Sequence, residues 1–162
     1  MRIVNGNLFN ATEPVIMHQV NCQGVMGSGV AKTVRELYPD CYNGYVQFIK
    51  DHGGDLGAFG QCYVYETNDK YILNVFGQLG FGAGLQTNYL ALTYGILNGL
   101  IEIAPKVQTQ YNKLHPLQVA LPYRMSCDRG GGDWDLVVGI LQMIEQIANI
   151  KFTAYDISNS QQ

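Results

Sequence analysis

The chain is short of charge: Asp, Glu, Lys and Arg make up 14% of its 162 residues, and only ten are basic. With a net charge of −3 and no run of Lys or Arg, it lacks the basic surface that binds a nucleic-acid polymer. It has no apolar run long enough to span a membrane, no internal repeat and no Pro/Ser-rich linker. Its first residues, Met1-Arg-Ile-Val4, enter a strand pattern at once, without the charged start and apolar middle of a signal peptide; the expected compartment is the cytoplasm. Cys22, Cys41, Cys62 and Cys127 show no C-x-x-C pair or zinc spacing and are read as reduced thiols. No pair of histidines joins a carboxylate at metal-ligand spacing, so neither a metal nor any other cofactor is expected.

What the chain has is glycine, 19 residues, and apolar residues, 47%. That is enough for one core of its own, a single domain over 1–157 with a short tail at 158–162. The most informative stretch is Val15-Ile-Met-His-Gln-Val-Asn-Cys-Gln-Gly-Val-Met-Gly-Ser-Gly-Val-Ala-Lys32, an apolar strand running into a glycine-studded loop that opens an amphipathic helix. Gly24, Gly27 and Gly29 allow positive φ and a close approach of ligand to backbone, while the free N–H groups and dipole of the helix start face an anion. The expected ligand carries phosphate. A dinucleotide fingerprint fails because Lys32 stands at the third glycine position and no acidic residue ends a strand about 20 residues on. A P-loop fails because Val30-Ala31 separates the glycines from Lys32-Thr33.

Short apolar runs at Met1–Val4, Val15–Val20, Gln61–Tyr65, Tyr71–Phe76, Leu117–Leu121 and Lys151–Ile157 predict six strands. Helical spacing of Val30/Val34/Leu37, Tyr45/Phe48/Ile49, Leu90/Tyr94/Leu97/Ile101 and Trp134/Val138/Leu141 predicts four helices. The alternation specifies an α/β sandwich with a largely parallel sheet, its ligand site at the carboxyl ends of the strands. Two more glycine clusters fall there. Phe76–Gly84 precedes a helix capped by Thr87 or Asn88, and Pro122–Trp134 precedes a helix capped by Asp133 with Trp134 as a core anchor. Three such loops would line one crevice.

The pattern Gly6-Asn-Leu-Phe9, His18-Gln-Val-Asn-Cys22, Met26-Gly-Ser-Gly-Val-Ala31, Phe76-Gly-Gln78, Pro122-Tyr-Arg124 and Gly131-Gly-Asp-Trp134 resembles the macrodomain family over almost the full length. It is most similar to the small single-domain branch with the ADP-ribose 1″-phosphate phosphatases and the terminal ADP-ribose protein glycohydrolase. The resemblance implies a three-layer α/β/α sandwich, a mixed six-stranded sheet, and binding of ADP-ribose, free or attached to protein. It puts Asn7 and Leu8 at the adenine, where the family usually has Asp, with Ile157 as an apolar face for the ring. Val20 and Asn21 would reach the distal ribose. The loop Gly24-Val25-Met26-Gly27-Ser28-Gly29-Val30-Ala31 would wrap that ribose and the diphosphate, and Ser126, Cys127, Asp128, Arg129 and Gly130 would clasp the diphosphate from the other side.

The chemistry implied by the resemblance is open. The glycohydrolase branch attacks the ribose with a lysine at the position of Gln78, and a glutamine forms no such adduct. Water activated by Asp128 or Asp133 could still cleave an ester or phosphate, making the protein an ADP-ribose 1″-phosphate phosphatase or an ADP-ribosyl hydrolase; the alternative is a non-catalytic ADP-ribose-binding module. Asp133 is equally a helix cap, and Asp128 stands where relatives usually have glycine. His18 is read as a hydrogen-bonded strand residue that touches the site. Tyr89 is either core filler or a wall of the ribose pocket, and core is favoured.

Overall fold

A computed structural model describes residues 1–108 and 115–158. The chain builds β1 (Arg2–Asn5), a 3-10 turn (Leu8–Asn10), β2 (Val15–Asn21), α1 (Gly29–Leu37), α2 (Pro39–Asp51), α3 (Asp55–Ala58), β3 (Cys62–Glu66), β4 (Tyr71–Gln78), α4 (Tyr89–Gln108), β5 (Leu117–Pro122), α5 (Trp134–Ile147) and β6 (Ile150–Asp156). The six strands form one mixed sheet in the order β1-β6-β5-β2-β4-β3, in which only the β3–β4 pair is antiparallel. All six predicted strands are present, and the short helix α3 and the 3-10 turn are additions that a four-residue and a three-residue segment give no periodicity to reveal. Among the described residues no helix is long and apolar enough to cross a membrane.

Alternation along β2 sorts the two faces of the sheet. Val15 and Met17 join α4 and α5 in one core with Leu73, Leu92, Ile96, Val137 and Phe152. On the opposite face, Val20 joins α1 and α2 through Val34, Cys41, Tyr45 and Phe76, where the Tyr45 and Phe76 rings stack at 5.5 Å. The result is a three-layer sandwich whose strand ends and helix starts converge on one edge.

One predicted stripe points the wrong way. Leu90, Tyr94 and Ile101 of α4 face solvent, while Leu92, Ile96, Leu100, Ile103 and Val107 face the sheet. α4 is apolar around most of its circumference, so an i, i+4 pattern in its sequence does not select the buried face. The helix sits close to the sheet because Gly95 and Gly99 have no side chain: a Cβ at Gly95 would lie 2.7 Å from Val75 Cγ1 and one at Gly99 2.7 Å from Cys62 Sγ.

His18 is buried in β2, its Nε2 2.7 Å from Asn74 Oδ1, and Asn74 donates in turn to the Tyr63 carbonyl at 3.0 Å. That second bond fixes the amide, so Nε2 carries the ring proton and Nδ1 stays bare. Burial lowers the His18 pKa from 6.5 to about 4 against the smaller opposing effect of Asn74. The unfolded chain takes up this proton below pH 6.5 and the folded chain does not, so the stability is complete above pH 6.5 and drains away as pH falls toward 4. The loss approaches about 3 kcal/mol. Urea titrations between pH 7 and pH 4 should show this slope in the native chain and its absence in His18→Gln; equal slopes in both would remove His18 as the cause.

Candidate functional site

At the carboxyl edge of the sheet lies a cavity of about 880 Å³, bounded by the loop after β1, the loop between β2 and α1, the loop after β4 and the loop between β5 and α5. Its first wall is the β2–α1 loop. Asn21 shapes it: Nδ2 donates to the Val25 carbonyl at 2.8 Å, Oδ1 accepts from the Gln23 N–H at 3.0 Å, and the backbone carbonyl accepts from Tyr45 Oη at 2.7 Å. Asn21 lines the cavity, yet most of its hydrogen-bonding capacity is spent building the loop. Gly24 (φ 77°) and Gly29 (φ 59°) hold the left-handed conformation that the loop needs. Gly27 does not. A Cβ there would meet only Val25 Cγ1, at 3.6 Å, so its value lies in the open space toward the cavity.

The first intrahelical bond of α1 runs from Lys32 N to Ser28 O at 3.3 Å. The amides of Gly29, Val30 and Ala31 precede it, and all three residues line the cavity. Ser28 makes no side-chain cap. A nine-residue helix therefore presents its first-turn donors and the positive end of its dipole to the cavity.

The opposite wall is the β5–α5 loop, in which Arg124 (φ 58°) and Ser126 (φ 73°) adopt the left-handed region although neither is glycine. Ser126 is held there by a polar network. Its hydroxyl donates to Gln19 Oε1 at 2.8 Å; Gln19 Nε2 donates to Gln78 Oε1 at 2.7 Å and to Thr87 Oγ1 at 2.9 Å; Thr87 Oγ1 donates to the Ser126 carbonyl at 2.8 Å. Gln78 Nε2 closes the set on the Gly80 carbonyl at 2.7 Å. Gln19 fits because β2 and β4 slip register between Gln19 and Asn21, and because Gly77 has no Cβ to strike its carboxamide. The Gly130 carbonyl accepts from the amides of Gln86 and Thr87 at 2.8 and 2.9 Å, tying the second glycine loop to the third.

The expected site residues are mostly gathered here. Asn7, Leu8, His18, Val20, Asn21 and Val25 line the cavity, as do Gly27, Ser28, Gly29, Val30 and Ala31. So do Gln78, Ser126, Asp128, Arg129, Gly130 and Ile157. Gly24 and Met26 do not: Gly24 shapes the loop from behind, its carbonyl accepting from Tyr42 Oη at 2.9 Å, and Met26 turns into the α1/α2 core. Cys127 also faces inward, and burial pushes its thiol up to about 11, which leaves it protonated and inert. Asp133 stands outside the cavity lining and caps α5, its carboxylate accepting from Asp135 N at 2.9 Å. Asn7 Oδ1, the atom expected at an adenine amino group, already accepts from Phe9 N at 2.9 Å, leaving one lone pair for a ligand. Tyr89 packs against the core, and its hydroxyl accepts from Asp133 N at 2.8 Å; it braces the third loop and does not line the cavity.

Asp128 pairs with Arg124, Oδ1 to Nε at 3.2 Å. Both partners are exposed, so the pair opens at little cost. Two arginines and two aspartates, Arg124, Arg129, Asp128 and Asp156, line the cavity, so side-chain charge nearly cancels and the anion-attracting field comes from backbone amides.

Sequence reasoning missed Gln19, Phe81 and Tyr155. Gln19 had a signal: it is an amide inside an apolar strand, on the face that Val15 and Met17 share. Tyr155 follows Ala154, which faces the α4/α5 core, and so points to the other side of the sheet beside Leu8 and Ile16, whereas Phe81 sits in a loop with no period to place it.

No family model matches the chain. It is 31% identical over 130 residues to an uncharacterized 17.5 kDa protein from the tk-vs intergenic region of Enterobacteria phage T4, covering 78% of this chain and 76% of that one. It is 26% identical over 161 residues to the DNA ADP-ribosyl glycohydrolase of Thermus aquaticus, and this match takes in 96% of the chain but 41% of the enzyme. The solved macrodomain of Mycobacterium tuberculosis DarG aligns with a TM-score of 0.68 at 26% identity, over 95% of both chains. The chain belongs to the macrodomain family. In this macrodomain the third loop depends on contact that only glycine permits: a Cβ at Gly130 would lie 2.5 Å from the Ser126 carbonyl and 2.8 Å from Gln19 Nε2. Gly130→Val should therefore destabilise the fold by about 1–3 kcal/mol, whereas Gly27→Val should melt within a degree or two of the native macrodomain. Thermal unfolding of the two variants checks this, and equal melting points would dismiss the network as a constraint.

Proposed function

We propose that the cavity binds ADP-ribose, with the adenine between Leu8 and Ile157, the diphosphate between the start of α1 and the β5–α5 loop, and the distal ribose near Asn21 and Gln78. The observation that carries this reading is the pairing of unused first-turn amides of α1 with a second backbone-rich loop across one cavity, a cradle for two linked phosphates. The cavity's 880 Å³ suits a ligand of this size. Relatives named DNA ADP-ribosyl glycohydrolase and ADP-ribose 1″-phosphate phosphatase support the same ligand. The chain spans about two-fifths of the glycohydrolase's length, and its low positive charge argues that any polymer attached to the ADP-ribose is touched little.

Hydrolysis through a lysine adduct is excluded at Gln78, an uncharged amide whose two ends are occupied by Gln19 and Gly80. Of the two acids that line the cavity, Asp156 already accepts from Ser158 N at 2.9 Å and Ser158 Oγ at 2.6 Å, which leaves Asp128 as the candidate. Released from Arg124, its carboxylate can accept a proton from a water directed at the distal ribose or its substituent, while Arg124, freed in the same movement, faces the diphosphate. Asp133 keeps its structural role. The fixed Gln78 favours a second reading, binding without turnover.

Calorimetric titration should show ADP-ribose binding at least tenfold tighter than AMP, and Gly27→Val should lose that binding while remaining folded. Equal affinity for AMP would contradict the two-loop cradle. With ADP-ribose 1″-phosphate and an ADP-ribosyl-glutamate ester as substrates, Asp128→Ala should lose about 10²-fold in rate and retain ADP-ribose binding. Asp133→Ala should cost about 1 kcal/mol of stability and leave turnover near native. An inactive native protein that binds ADP-ribose would establish the binding module instead.

A further inference from the structure

α4 and α5 carry more apolar surface than the sheet covers. On α4 the outward residues Leu90, Tyr94, Leu97 and Ile101 recur at steps of four, three and four, and on α5 Leu136, Ile140, Met143 and Ile147 repeat the same steps. Leu97 and Ile140 are half-buried against the core, and the other six are between 47% and 71% exposed. Each stripe lies on one flank of its helix.

The far flanks are identified by their contacts. α4 turns Ala91, Gly95 and Asn98 toward the residues before β3: Gly60 lies under Ala91, Gly95 approaches the Gln61 carbonyl, and Asn98 Nδ2 donates to Gly60 O at 3.2 Å. α5 turns Glu145 toward the opposite edge of the sheet, where its carboxylate accepts from the N-terminal amine of Met1 at 2.6 Å and from Phe152 N at 2.9 Å. α4 packs over β3 and β4, and α5 over β6. The two apolar stripes therefore avoid these far flanks and run along the outside of the helical layer.

The six exposed side chains leave on the order of 700 Å² uncovered, above the few hundred Å² a monomer usually shows in one patch and near the 800 Å² per partner of a standard interface. Charge decides the occupant. No charged residue occurs between Leu90 and Ile101, and the only one between Leu136 and Ile147 is Glu145, already paired on the far flank. A two-fold interface sets its central residues against their own copies, so a like charge at its centre would repel itself; this face carries none.

We infer that the α4/α5 face is a self-association surface, on which a second copy of this chain lays its own helical layer, the ridges of each filling the grooves of the other. Both helices start at the loops of the ligand cavity and run away from it, so Ile101, twelve residues beyond Tyr89, lies roughly 18 Å along the axis.

Sedimentation equilibrium on the full chain should show a concentration-dependent dimer of the 18.0 kDa protomer at and below ~0.1 mM. Ile101→Lys and Met143→Lys, both at exposed positions, should each weaken the dimer at least tenfold, with the native melting point of the monomer and native ADP-ribose affinity retained. A native chain that stays monomeric at that concentration overturns the proposal, and so do variants that dimerise as the native chain does. A face covered by an unrelated partner would give the monomeric result. The outcome is independent of the ligand reading, which the titrations decide alone.

Discussion

The ligand edge of this protein depends on where one amide, that of Gln19, sends its hydrogen bonds. It accepts from Ser126 of the third loop and donates to Gln78 at the end of β4 and to Thr87 at the start of α4. Each proton in the set has one acceptor, so the directions are mutually fixed. Two loops that would otherwise be free to move are clamped to the central strand. The price is a strained Ser126 and glycines at 77 and 130, where any side chain would occupy space the network already uses.

The same clamp bears on chemistry. Gln78 occupies the position at which the resemblance to glycohydrolases implied a lysine, and it serves as a joint between β2 and the second loop. A residue bonded at both ends of its amide is a positioning element. The reaction proposed above falls to the rim, where Asp128 and Arg124 neutralise each other in an exposed pair that opens at little cost. Since acidic and basic side chains balance around the cavity, selectivity for an anion rests on amide geometry, which mutation of surface charge alters little.

Much of this was legible in the sequence, for identifiable reasons. The six strands announced themselves because each is a short apolar run bounded by glycine, proline, asparagine or aspartate. The three loops did so because clustered glycines next to a helix start have few other uses. What the sequence concealed follows from a loss of contrast. The α4 stripe of Leu90, Tyr94 and Ile101 looks like a core face, but a helix apolar on nearly all sides leaves tertiary packing to choose, and Gly95 and Gly99 drew a different face to the sheet. Met26 and Cys127 sit in binding loops by sequence and in the core by structure, because a loop must anchor itself before it can hold a ligand. Arg124 found Asp128 across one turn of loop, a partnership that adjacency of Asp128 and Arg129 obscures.

On the proposed reading, two backbone loops locked together through Gln19 hold a diphosphate, and a crystal structure of the complex with ADP-ribose decides whether they do. Phosphate oxygens should lie within hydrogen-bonding distance of the Val30 and Ala31 amides on one side and of the Ser126–Gly130 backbone on the other, with the Gln19 network unchanged and the Arg124–Asp128 pair parted. A diphosphate bound away from these amides, or a network that breaks to admit it, would overturn the two-loop cradle.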